Sequence, residues 1–111
     1  MDIHKTLVVS NRVRAVPTGF GWVDHRLLQD GYLRECSTDA LALYLILIAV
    51  ADQDGLSYYG DRLLCTMLGW HNQRLEMARD NLRDADLAAY REPLYQVLSL
   101  PQADRRVHHD H

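Results

Sequence analysis

Several groups of side chains in this sequence are of the types that chemistry uses. Asp24-His25-Arg26 sets a carboxylate, an imidazole and a guanidinium in a row. Neighbours along a helix or strand point in different directions, so adjacency alone does not bring the three to one reacting atom. His25 therefore reads as a surface histidine and not as a general base. Cys36 and Cys65 lie far apart, without metal-type or redox-type spacing, in or beside apolar segments. They read as reduced core thiols, not nucleophiles. His108-His109-Asp110-His111 could hold a metal ion loosely, but a charged C-terminal tail is the simpler account. The expectation is a protein with no catalytic centre, no cofactor and no tightly bound metal. The run His71-Asn72-Gln73-Arg74 differs in kind. Asn72 and Gln73 have the paired donor and acceptor needed to read adenine, and Arg74, Arg79 and Arg83 could meet phosphates.

Those side chains matter only if a helix presents them together. Leu75, Ala78 and Leu82 are spaced three and four apart, which makes one apolar stripe on a helix of about 3.6 residues per turn. Asn72 is expected as its N-cap, with its side-chain oxygen satisfying a free backbone N–H. Gly69 is expected to form the turn from a preceding helix that starts near Gly60-Asp61, carries Leu64 and Leu68 inward, and uses Cys65 as the small residue at the crossing; Trp70 follows the turn. With Leu75 inward and about 100° between residues, Gln73, Glu76, Met77 and Asp80 face out, with Arg74, Arg79 and Arg83 toward the flanks. After Asp84 come Leu87-Ala88-Ala89-Tyr90, a turn at Arg91-Glu92-Pro93, and a strand run over 94–100. Proline cannot donate to a strand ladder, so Pro93 belongs to the turn. Leu56-Ser57-Tyr58-Tyr59 reads as a short strand or extended link joining this hairpin.

The order helix, glycine turn, helix, strand pair over residues 37–100 resembles the winged helix-turn-helix superfamily, and more loosely the modules of plasmid and mobile-element replication and regulatory proteins. The resemblance implies a mainly α fold with a small β-hairpin. It implies a non-enzymatic regulator of transcription or replication that binds double-stranded DNA through the second helix, in the major groove.

Other features of the chain bear on that expectation. The net charge is −3 and the pI about 6.0, so the bulk electrostatic signature of a nucleic-acid binder is missing and any contact must be local. Glu76, Asp80 and Asp84 stand on the outer face of the second helix, where they would repel phosphate. They leave open an alternative, a winged-helix protein-interaction module that needs no DNA. Residues 1–21 carry Lys5, Arg12 and Arg14 against Asp2, and read as an extended basic arm with a strand around residues 6–10. Arg12 and Arg14 could track a minor groove. Phe20, Trp22 and Val23 would anchor the arm on a domain spanning 22–100, and 101–111 would be a disordered tail.

The run 40–51 is apolar on every side, after an N-cap at Ser37 and with Asp39 in the first turn. A helix of that kind must be covered all round. Either residues 20–32 fold back over it or a second copy of the chain covers it, which predicts a homodimer. The run is shorter than the roughly 20 residues that span a bilayer, and Thr6-Leu7-Val8-Val9 is too short for a signal core. A soluble cytoplasmic protein is therefore expected, without a membrane partner. At 111 residues and 48% apolar, one self-sufficient domain is the natural size.

Overall fold

A computed structural model describes residues 6–100, so the terminal histidine cluster, the tail 101–111 and Lys5 lie outside the described residues. The elements run α1 (Arg26–Gln29), α2 (Thr38–Val50), β1 (Leu56–Tyr58), α3 (Asp61–Leu68), α4 (Asn72–Asp84), β2 (Ala88–Arg91) and β3 (Leu94–Val97). Single 3₁₀ turns occupy Ser10–Arg12 and Tyr32–Glu35. The fold is helix-rich with a small antiparallel sheet in the order β1-β3-β2. The sheet therefore has three strands where the hairpin pattern guarantees two. Leu56 faces Gln96 and Tyr58 faces Leu94 across one ladder, while Ala88 faces Val97 and Arg91 faces Leu94 across the other.

Local chemistry accounts for the boundaries. Ser37 is extended, and its hydroxyl accepts from the Ala40 N–H at 3.0 Å, which starts α2. Gly69, at φ 72°, closes α3 and turns the chain into α4. Asp52 folds the α2–β1 loop by accepting from the Asp54 and Leu56 N–H groups, each at 2.9 Å. Leu43 and Leu47 of α2, Leu64 of α3, Leu75 and Leu82 of α4, Leu87 and Tyr95 meet as fully buried side chains in one core. Each buried leucine contributes about 1.5–3 kcal/mol relative to exposure.

Two expectations about the N-terminal half need correction. Residues 6–10 form no strand; the segment 6–23 is irregular, with bends at residues 8–9 and 18–19 besides its 3₁₀ turn, because no described strand pairs with it. Phe20 and Trp22 are exposed and do not anchor it. The segment is held at Gly21, where a side-chain carbon would stand 2.8 Å from the Ile48 carbonyl oxygen of α2. Farther on, Leu27 and Tyr32 enter the core. Residues 20–32 thus cover only part of α2, and Leu45 and Ala49 remain exposed on it.

Candidate nucleic-acid interface

The α3–Gly69–α4 corner gathers the polar residues at one end of α4. His71 occupies the N-cap position in extended conformation and makes no side-chain cap bond, so Asn72 is the first helical residue and not the cap. The physical reason lies next door. The Asn72 side chain is turned toward α3, where its Oδ1 accepts from the Cys65 thiol at 3.4 Å. The first turn of α4 carries no acidic residue, and residues 71–74 are all exposed. Uncapped N–H groups and the positive end of the helix dipole favour an anion there. An open cleft beside them is lined by Arg62, Thr66, Trp70 and His71 among others.

Arg74 is held in place. Its Nε and Nη2 donate to the two oxygens of Asp39 at 2.8 and 2.9 Å, and its guanidinium lies 4.8 Å from the centre of the Trp70 ring. The hydrogen bonds from Arg74 hold the Asp39 carboxyl below the usual carboxylate range. They also raise the arginine above its ordinary value. The Arg74 side chain is nonetheless about half exposed, and Asp39 takes only two of the five guanidinium N–H groups.

Arg79 does not lie on the solvent flank expected for a phosphate contact. It is 8% exposed, and its Nη1 donates to Asp61 Oδ1 at 2.8 Å and to the Tyr95 hydroxyl at 2.7 Å. Its guanidinium also sits 4.2 Å from the centre of the Tyr90 ring. Burial opposes the charge, but the bonds to Asp61 and Tyr95 override it, and its pKa lies above the ordinary arginine value. Arg79 joins α3, α4, β2 and β3 and is removed from the set of DNA contacts.

Gln73, Glu76, Met77, Asp80 and Arg83 line the exposed side of α4, and Asp84 joins Asp80 and Arg83 around a shallow depression. Arg12 and Arg14 are exposed on the N-terminal segment. Sequence reasoning missed two positioning residues. Asp39 orients Arg74 across 35 positions. Asn81 accepts from the Ser37 N–H at 2.7 Å and donates to the Glu35 carbonyl at 2.8 Å, tying the start of α2 to α4.

The other candidate chemistry stays dispersed. Asp24 pairs with Arg26 through hydrogen bonds of 2.7–3.2 Å that hold its carboxyl below the usual range, leaving His25 outside the pair. Burial pushes the Cys36 thiol up, away from nucleophilic ionisation. Among the described residues, no three His, Cys, Asp or Glu side chains gather as metal ligands. No helix among them is long and apolar enough to cross a membrane. No protein-family model, curated protein or solved structure matches the chain.

Proposed function

We propose that the chain is a winged helix-turn-helix protein that binds double-stranded DNA as a homodimer and regulates transcription or replication in the cytoplasm, without enzymatic activity. The observation that carries this reading is the exposed, acid-free leading end of α4, where residues 71–74 project beyond the glycine turn. In that arrangement α4 enters the major groove, α3 crosses the backbone, and two copies present their helices about 34 Å apart on a palindrome. Asn72 and Gln73 approach base edges. Arg74 and Arg83, on opposite flanks of α4, meet separate phosphates, while Arg12 and Arg14 contribute affinity from the arm. Glu76, Asp80 and Asp84, all exposed on the same helix, favour the second reading, a protein partner that meets α4 through a basic surface.

Binding to a randomised duplex pool across a salt series separates the two. The DNA reading expects salt-sensitive binding, a salt slope reduced by about one in Arg83→Gln, and preference relaxed at one base pair in Gln73→Ala, worth roughly 1–3 kcal/mol. Glu76→Gln with Asp80→Asn should strengthen non-specific binding. Absence of any binding at low ionic strength, in wild type and in that neutralised variant alike, would refute it in favour of the protein partner.

A further inference from the structure

Residues 6–23 leave a large apolar surface without a partner. Val8 is 97% exposed, Val16 77% and Trp22 72%, while Leu7, Val9, Val13, Phe20 and Val23 each show more than half their surface. An aromatic side chain presents roughly 150–250 Å² and an aliphatic one somewhat less, so eight at these exposures amount to on the order of 900 Å². That total is spread along the segment 6–23. It matches the roughly 800 Å² that each partner contributes to a stable interface.

The acceptor lies beside the root of this arm. Gly21 sits on Ile48 of α2, and the exposed Leu45 and Ala49 are three positions before and one after it. Positions three or four apart share a helix face, so Leu45, Ile48 and Ala49 make an apolar strip where the arm leaves the body. The strip is open at Leu45, 63% exposed, and at Ala49, while residues 6–20 are each exposed as well. Charge is complementary as well. Residues 6–23 hold Arg12 and Arg14 and no acid in a chain of net charge −3, and Asp52 and Asp54 stand exposed just beyond α2.

We propose that two copies exchange arms, the arm of each lying along the Leu45, Ile48 and Ala49 strip of the other. Because the arm leaves the body beside the strip, at Gly21 against Ile48, a twofold axis there lets both contacts form at once and closes the assembly at two copies. The inference rests on the dimer of the preceding section and adds which surfaces pair.

Full-length variants test it by sedimentation equilibrium at high micromolar concentration, with circular dichroism confirming the fold. The arm variant Val8→Glu with Val13→Glu and the strip variant Leu45→Lys should each weaken the dimer about tenfold or more, since each places a charge against an apolar partner. Mixed in equal amounts they should recover the dimer, because the mixed pair holds one native contact and one in which glutamate meets lysine. A dimer that survives the arm substitutions unchanged would overturn arm exchange and leave the dimer standing. Failure of the mixture to recover would do the same. A monomeric wild type would overturn both.

Discussion

Replacing Arg79 with methionine removes a side chain that bonds from α4 to both α3 and β3. Methionine keeps most of the apolar stem but loses the charged hydrogen bonds to Asp61 and Tyr95 and the stack on Tyr90. A hydrogen bond to a charged group is worth about 1.5–3 kcal/mol and a partly desolvated cation–π contact about 0.5–2 kcal/mol. Against these losses, the variant no longer buries a guanidinium, an unfavourable term of several kcal/mol in its own right. The Asp61 side chain is 36% exposed and can rehydrate, so it is not stranded as a fully buried carboxylate would be. The balance is a destabilisation of about 2–3 kcal/mol, read as a lower urea midpoint at unchanged slope. Arg79→Lys keeps the charge but not the planar stack, and should lose about half as much. Stability within about 0.5 kcal/mol of wild type in Arg79→Met would refute the strut. So would a reduction of the salt slope of DNA binding by one unit in the folded variant, because that would make Arg79 a phosphate contact after all.

Three further outcomes are expected. Gly55→Ala should cost about 2–4 kcal/mol, because Gly55 combines φ 82° with a side-chain position 2.8 Å from the Val97 carbonyl oxygen; Gly31→Ala, at the same φ with open space around it, should cost only about 1–2 kcal/mol by chemical denaturation. Asn81→Ala removes the side-chain bonds to the Ser37 N–H and the Glu35 carbonyl, both at exposed residues, and should lower stability by about 0.5–1.5 kcal/mol, with faster amide exchange at Ser37 as the local readout. The Asp39 carboxyl is held down by Arg74, so the stability its pair contributes is present above the unfolded carboxylate pKa and is lost as pH falls through the lower folded one; NMR titration should place the Asp39 midpoint below that of an ordinary aspartate, and Arg74→Gln should return it there.

The signals that reached the fold intact were local. Ser37 caps α2, Gly69 turns α3 into α4, and Leu75, Ala78 and Leu82 are buried in register. Each depends on residues within one or two turns of one another. The charge of Arg79 points to a solvent flank, but its angle on α4 does not. Four positions after Leu75 is a rotation of only about 40° from that buried leucine, so Arg79 sits at the edge of the core face of α4. What admits a cation there is the pair of tyrosines and Asp61, brought in from three other elements. The Asn72 oxygen accepts from a thiol seven positions earlier, and the cap position falls to His71. Asp39 and Asn81 act across 35 to 46 positions, and a single sequence carries no sign of such pairings. The candidate site was therefore legible as a helix end, while the contacts that orient it were not.

The ladder between β1 and β3 also sets the order in which the molecule can be completed. Leu56, Ser57 and Tyr58 pair with Gln96, Tyr95 and Leu94, and everything in between, both crossing helices included, is a loop that this ladder closes. Closing a loop of that size carries an entropic cost of about 3 kcal/mol before any long-range contact offsets it. During synthesis, a nascent chain that ends at Pro93 already holds α3 and α4 but lacks the central strand, Tyr95 as a partner for Arg79, and the buried Leu100. The helix pair thus gains its sheet partners only when residues 94–100 have been made, and β3 then fixes both ladders together.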